Sequence, residues 1–499
     1  MSGTGHANLD FARRRAALTP DRPALYWEGR WYSYAELDQR ATRLAVHLSS
    51  LGVAKGDRVG ILALNHIAHL DLLFAAPKLG FIHTPFNYRL PAAELAGLLA
   101  YIEPKLLFAD TRHQALAQLA GCVALPLAQY ESRLAAAEAP HREPVVRPED
   151  VHMILFTGGS TGLPKGAMLP YRQVLANCEN TALGWGLRED DCSIVATPCF
   201  HAALNALGTP LLHLGARVAL MQNFEPAEYL RLAQSADATL LFMVPSMYQM
   251  LAEYADFAGA ELSRVRWAIS GGAPCPPLVR ERYARRGIRF KQGYGMTEAG
   301  VNCFAIEIEE AERHPDSVGR PLPNTEAAIR REDGAACGAD EVGELYLRGP
   351  HLFLGYYQRP EENRAVLRDG WLRTGDLARR DAADRYFICG RRKEMYISGG
   401  ENVYPAEVEA VLSRIPGVAE CAVIGVPDAR WGETGLAALT LRARGGWTAE
   451  SLRAELKNSL AGYKVPAYYL FLDELPKSAA GKILKPQILR QWEEQQGGA

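Results

Sequence analysis

The stretch Ile154-Leu-Phe-Thr-Gly-Gly-Ser-Thr-Gly-Leu-Pro-Lys-Gly166 gathers more anion-binding groups than any other part of the chain. Gly158, Gly159 and Gly162 let the backbone turn so that successive N–H groups can converge on one anion. Thr157, Ser160 and Thr161 add hydroxyl donors, and Lys165 adds a mobile positive charge. The chemistry suited to this combination is phosphate binding. It is not a Walker A loop, because Lys165 is followed by Gly166 rather than by Ser or Thr.

Gly158 to Gly162 also fits GxSxG, the nucleophile elbow of serine hydrolases, and an apolar strand precedes it. The elbow must run straight into a helix, whereas Pro164 and Pro170 follow here. The triad also needs a downstream histidine, and only His201, His213, His314 and His351 remain, none in a distinctive setting. The phosphate reading is preferred.

The elements that must hold such a loop are visible as alternating patterns. Arg58 to Leu64 reads as a buried strand and Ala68 to Lys78 as the helix after it. Val151 to Thr157, Ser193 to Thr197, Thr239 to Pro245 and Val265 to Ser270 are further short apolar runs, each closed by turn residues or a polar stretch. Strands alternating with helices imply mostly parallel α/β sheets that hold ligands on loops at the strands' C-terminal ends. Residues 139–150 carry Pro140, Pro144 and Pro148 and read as a surface connector. From about 317 to 390 short strands and turns such as Gly343 to Gly349 suggest a small β-rich subdomain, and a charged segment at 378–394 leads into a new α+β pattern.

Composition narrows the class without choosing within it. The 499 residues suffice for two to four folding units, and 55 basic against 57 acidic residues give a net charge of −2. That balance excludes a nucleic-acid or anionic-membrane surface. Nine scattered cysteines without a CxxC pair suggest neither a disulfide framework nor a zinc ribbon. No secretory leader and no apolar stretch long enough for a membrane helix are seen, so the cytosol is the expected compartment.

Four more segments follow the loop in order: Gln292-Gly-Tyr-Gly-Met-Thr-Glu298, Thr374-Gly-Asp376, Gly390-Arg-Arg-Lys-Glu-Met-Tyr-Ile-Ser-Gly-Gly-Glu-Asn-Val403 and Leu475-Pro-Lys-Ser-Ala-Ala-Gly-Lys482. In that order and spacing the chain resembles the adenylate-forming superfamily, and within it the AMP-forming acid–CoA ligases of fatty or aryl (arylpropenoic) acids. The resemblance implies an α/β fold. A large N-terminal domain, residues 1–389, would hold two α/β subdomains and a distorted β-barrel subdomain. A smaller α+β lid domain would fill 390–499. It also implies two half-reactions with ATP, Mg²⁺ and coenzyme A: an acid attacks the α-phosphate to give acyl-AMP and pyrophosphate, and a thiol then displaces AMP.

Taken alone, the four segments say less. Tyr294 between two glycines can lie against a purine, and Glu298 can hold Mg²⁺ together with phosphates. Asp376 can accept two ribose hydroxyls, and Arg391 is either a fork for the nucleotide or one of a solvated cluster with Arg392 and Lys393. The resemblance assigns the rest. Thr157, Gly158, Gly159, Ser160, Thr161, Gly162 and Lys165 would bind phosphates, with Thr157 and Glu298 on Mg²⁺. Gly272, Ala273, Gly293, Tyr294, Gly295, Met296 and Thr297 would frame AMP, Asp376 and Arg391 its ribose. Lys482 would bridge the substrate carboxylate and the α-phosphate.

The acyl pocket would be lined by His201, Ala202, Ala203, Leu207, Gly271, Gly272, Gly295 and Val301, an apolar and mostly small wall without a cation. Fatty and aromatic acids suit it equally. Gly399, Gly400 and Trp431 would border the coenzyme A path, and Lys393 would be the pivot about which the lid turns between the two steps. Small molecules are the expected partners, with a homodimer left open and no nucleic acid. The chain ends shortly after Lys482, so no fused carrier domain is expected, though a carrier protein in trans remains an alternative acceptor. A luciferase-like oxygenase and a silent nucleotide-binding protein share the motifs, but retention of Lys165, Glu298, Asp376, Arg391 and Lys482 together argues against the silent one.

Overall fold

The computed structural model describes residues 9–117, 121–137, 145–158, 164–442, 446–477 and 483–497. Two large sheets form the body. One has seven strands in the order Phe290–Gln292, Trp267–Ser270, Leu240–Met243, Cys192–Val195, Arg217–Leu220, Pro23–Trp27 and Arg30–Ser33. Its pairings are parallel except for the closing hairpin between the last two strands. The other has six strands in the order Val123–Pro126, Leu106–Ala109, Arg58–Leu62, Ile82–Pro85, Val151–Thr157 and Lys165–Pro170, again parallel except at the last pair. Strands such as Leu106–Ala109 and Cys192–Val195 are buried along their whole length, as strands covered on both faces must be.

One continuous core joins the two sheets and the helices Tyr34–Ser50 and Ile67–Leu79. The second of these helices is apolar on every side, and its residues from Ile67 to Lys78 are all buried. Its charged members are paired there. The Lys78 Nζ lies 2.7 Å from Asp10 and 2.5 Å from Asp38, and Asp71 accepts from Arg40 at 2.8 Å. Buried charges without such partners would be costly to keep. Smaller apolar clusters cover the outer faces of both sheets.

An antiparallel sheet of Glu326–Arg330, Gly343–Arg348, Trp371–Arg380, Leu367–Arg368 and Tyr386–Arg391 follows, and Leu345, Leu347, Leu372 and Tyr386 join the body core. After residue 395 comes a second antiparallel-rich sheet built on the long hairpin Val418–Asp428 and Gly432–Leu441. Separate clusters cover its two faces with the helices Pro405–Leu412, Ala449–Lys457 and Lys485–Gly497. The architecture is the α/β body with a smaller α+β unit that the resemblance implies. Between the two units run exposed ion pairs such as Arg414–Asp316 at 3.2 Å and Arg442–Glu253 at 3.7 Å, a weakly held contact. Of the proline-bearing connector, residues 138–144 lie outside the described residues, and Val146 is buried beside Leu9 and Tyr171.

Candidate active site

The strand Val151–Thr157 leaves the core with Ile154 and Leu155 buried and pairs antiparallel with Lys165–Pro170. Thr157 sits opposite Lys165 in that register. The candidate phosphate loop therefore joins two strands of a hairpin, which rules out the strand-to-helix elbow of a hydrolase. A Cβ on Gly166 would lie 2.8 Å from the Ile154 side chain, so packing demands glycine there. Gly158 is exposed, while Gly159, Ser160, Thr161 and Gly162 lie outside the described residues.

At the hairpin's end Lys165 is paired with Glu362, and its ammonium stands 5.0 Å above the Tyr356 ring. The Tyr356 hydroxyl donates to Glu298 Oε1 at 2.8 Å. Burial and the neighbouring Glu298 charge push this phenol far up, so it stays a donor. Glu298 is 6% exposed and takes part in no ion pair among the described residues. The strip 353–357 ties these groups together. Leu354 and Gly355 bond with Met168, Tyr357 donates to the Gly166 carbonyl at 2.8 Å, and Phe353 donates to the Glu298 carbonyl at 2.9 Å. The sequence reading missed this strip, whose only signal is a glycine and two tyrosines in a β-rich stretch.

The nucleoside side is set by strand register. Ser270 pairs with Gln292, so the turns carrying Gly271, Gly272 and Ala273 and carrying Gly293, Tyr294 and Gly295 leave adjacent strands at one edge. Gln292 fastens the turns by accepting from the Cys275 amide at 2.8 Å, a second role the sequence did not suggest. Asp376 and Arg391 face each other across two antiparallel strands, and the guanidinium Nε lies 2.7 Å from Asp376 Oδ1. The Tyr294 hydroxyl donates to the same carboxylate at 2.6 Å. Arg391 is thus tied to Asp376, whereas Arg392 turns instead to Glu344 and Glu332. Met296 and Thr297 continue the turn, and Thr297 accepts from Gln173 at 3.0 Å.

A Cβ on Gly295 would lie 1.5 Å from the Val301 carbonyl oxygen, which fixes glycine at that position. Val301 itself has φ +80°, a left-handed conformation that a β-branched residue adopts only under strain. Ala202, Ala203, Met296 and Val301 are partly buried and pack on the same body core, and Leu207 is buried within it. The segment Leu204–Gly208 is a π-turn, a device that often accompanies functional sites. His201 is half-buried with its ring 4.3 Å from Phe200, and Phe200 meets Tyr88 edge-on at 5.2 Å. On the other strand edge, a Cβ on Gly271 would approach Phe242 to 3.2 Å. Phe242 thus lies beside Gly271, and Phe200 lies beside both His201 and Tyr88.

Gly399 and Gly400, with φ +62° and +87°, form the two-residue turn between Tyr396–Ser398 and Glu401–Val403. A Cβ on Gly399 would strike Trp431 at 2.7 Å, whereas one on Gly400 would meet nothing within 4 Å. Trp431 is 37% exposed rather than a core residue. Lys393 is exposed between Arg392, bound to Glu344 of the body, and Glu394, bound to Lys485 of the C-terminal unit. Lys482 lies outside the described residues.

Comparison with known proteins decides what this arrangement belongs to. Residues 12–357 match the model of the AMP-binding enzyme family, and residues 407–482 match its AMP-binding enzyme C-terminal domain. The chain belongs to the AMP-binding enzyme family. A feruloyl-CoA synthase of Amycolatopsis sp is 40% identical over 96% of this chain and 98% of its own. An indoleacetate–CoA ligase of Aromatoleum aromaticum is 35% identical over 95% and 96%. Among solved structures, the o-succinylbenzoate CoA synthetase of Bacillus subtilis in complex with its acyl-adenylate matches with TM-score 0.87 and 31% identity, covering 96% of this chain and 97% of that one. A further structure of that enzyme, also at TM-score 0.87, holds ATP and a magnesium ion.

Membership places the chain with the acid–CoA ligases of this family. The residues fit magnesium of the kind that nucleotides carry. No group of three or more His, Cys, Asp or Glu able to hold a metal exists among the described residues. One buried carboxylate, Glu298, and the Thr157 hydroxyl leave the other positions to phosphate oxygens and water, which is how Mg²⁺ is usually held. No helix among the described residues is long and apolar enough to cross a membrane.

Proposed function

We propose that this enzyme activates an aromatic monocarboxylic acid, of the arylpropenoic or arylacetic kind, to its acyl-adenylate and passes the acyl group to coenzyme A. One observation carries the substrate reading. Of the small residues of the proposed acyl wall, Gly271 has Phe242 beside it and Ala202 and Ala203 follow Phe200, whose ring meets Tyr88, so aromatic partners for a flat ring are at hand. The relatives named above act on aromatic acids. No Lys or Arg belongs to the proposed acyl wall, so a second carboxylate on the substrate would go unpaired.

In the first step a substrate carboxylate oxygen attacks the α-phosphorus and pyrophosphate leaves. Lys165 and Thr157 hold the departing phosphates, and Lys482 is assigned to the carboxylate and the α-phosphate. Glu298 and Thr157 would hold Mg²⁺, which would supply charge neutralisation for the triphosphate. Asp376 keeps the ribose in place with Tyr294 and Arg391 behind it. In the second step the coenzyme A thiol attacks the acyl carbonyl, AMP leaves, and the thiol proton passes to solvent. The lid would turn at Lys393, whose neighbours are anchored to different units, and bring Gly399 and Gly400 to the thiol path. The 1–389 and 390–499 division follows from that pivot. Nine free thiols and near-neutral charge suit the reducing cytosol.

An ATP–pyrophosphate exchange screen across fatty and aromatic acids, repeated as thioester formation with coenzyme A, tests the reading. Exchange restricted to aromatic acids and thioester formed with coenzyme A are expected. Preference for long-chain acids would overturn the substrate class, and transfer only to a carrier protein would overturn the acceptor.

A further inference from the structure

The strip 353–357 touches both charged ends of the proposed triphosphate site. Its backbone pairs with the strand that begins at Lys165, through Gly355, Leu354 and Tyr357, and with the turn that carries Glu298, through Phe353. Tyr356 is its central residue and is 7% exposed. The hydroxyl edge of this one side chain donates to Glu298 at 2.8 Å, and the ring face lies 5.0 Å from the Lys165 ammonium. Because the phenol carries only one hydrogen to give, and gives it to Oε1, the carboxylate is held in one rotamer with Oε2 left for another partner. The ring meanwhile attracts the ammonium without taking its hydrogens, which remain available to an anion.

We propose that Tyr356 is a positioning residue for the adenylation step, orienting Glu298 toward the nucleotide's magnesium and Lys165 toward its phosphates at once. This rests on the reading of the ATP site given above. Glu362 stands as the anion beside Lys165, and on this proposal a phosphate of ATP would take its place. Carboxylates that hold metals depend on such supporting hydrogen bonds, whose loss costs roughly tenfold or more in metal affinity.

Calorimetric binding of α,β-methylene-ATP, with EDTA and with a Mg²⁺ series, separates the two effects without turnover. Tyr356→Phe keeps the ring and loses the hydroxyl. Its metal-free binding should stay within about twofold of wild type, while the gain on adding Mg²⁺ should shrink roughly tenfold. In a Glu298→Gln background the same change should have almost no further effect on the Mg²⁺ gain. Tyr356→Leu should in addition weaken metal-free binding. A Tyr356→Phe protein with the wild-type Mg²⁺ gain, or with metal-free binding reduced as strongly as metal-loaded binding, overturns the proposal.

Glu362→Gln leaves Tyr356 in place and reads the other end. Stronger metal-free binding with an unchanged Mg²⁺ gain is expected, and weaker binding would show that Glu362, not the ring, positions Lys165. Were the wild-type protein itself to bind no analogue, the ATP-site reading would fall first, a result distinct from any of these.

Discussion

Two carboxylates flank the nucleotide site, and each receives a tyrosine hydroxyl, yet they are left in opposite electrical states. Asp376 is met by Tyr294 and also by the Arg391 guanidinium, so its charge is balanced within the protein. Among the described residues Glu298 is met by the Tyr356 hydroxyl and by no cation, while Lys165 is drawn to Glu362. The first arrangement suits a group that accepts neutral hydroxyls. The second suits a group whose charge must wait for a metal ion. On the proposed reading, the same donor, placed once with and once without an arginine, would make a ribose holder and a metal holder from similar side chains.

Neutralising each carboxylate should separate the two. Glu298→Gln should cut pyrophosphate exchange roughly 10²–10³-fold, about 3 to 4 kcal/mol of transition-state stabilisation, mainly in kcat. An equal fall for Asp376→Asn would erase the distinction.

Acid sets a limit common to both halves. His69, His83 and His152 are fully buried in the body, and desolvation lowers His69 to about 3, His152 to about 4 and His83 well below its ordinary value. They stay neutral in the fold but bind protons in the unfolded chain once pH drops below about 6.5. Stability held above that pH is therefore lost as pH falls toward the folded values, by about 2 kcal/mol for each histidine at pH 5. Denaturant melts at pH 7 and pH 5 should show the same loss in Glu298→Gln and Asp376→Asn. A variant-dependent loss would place acid sensitivity in the site instead.

Smaller effects sharpen the ribose side. Asp376→Asn keeps an acceptor and should raise the KM for ATP about tenfold with kcat changed less than about twofold. Tyr294→Phe leaves Arg391 in place and should raise the same KM only about threefold. A larger effect from Tyr294→Phe than from Asp376→Asn would mean that the tyrosine, not the arginine, sets the Asp376 geometry.

Much of this was legible in the chain. Glycines beside hydroxyls, lysines and acids mark the loops because such residues have no packing reason to cluster. Val151–Thr157 was readable to the residue, and the four other body runs named from the sequence each hold a strand to within about two residues, because buried parallel strands are continuous apolar runs. Strands such as Ile82–Pro85, Leu106–Ala109 and Arg217–Leu220 were not read at all. What was hidden depends on pairing. The cross-strand meeting of Asp376 with Arg391, and of Thr157 with Lys165, follows from register that no local pattern encodes. Tyr356 lies outside every motif, and the contact Gln292 makes with Cys275 is not written in its own, since both roles come from partners elsewhere in the chain. The backbone of Val301, a residue named for the acyl wall, was hidden for another reason: its left-handed conformation is the opposite of what a valine prefers.

The pairing of the strip 353–357 with the strand beginning at Lys165 has a consequence for how the enzyme is born. A chain emerging from the ribosome exposes its phosphate loop long before the strip that flanks the adjoining strand has been synthesised. Contacts so distant in sequence form late, after the parallel sheets have collapsed. ATP should therefore give little shelter to early intermediates, and nucleotide capture marks a polypeptide whose assembly is already complete.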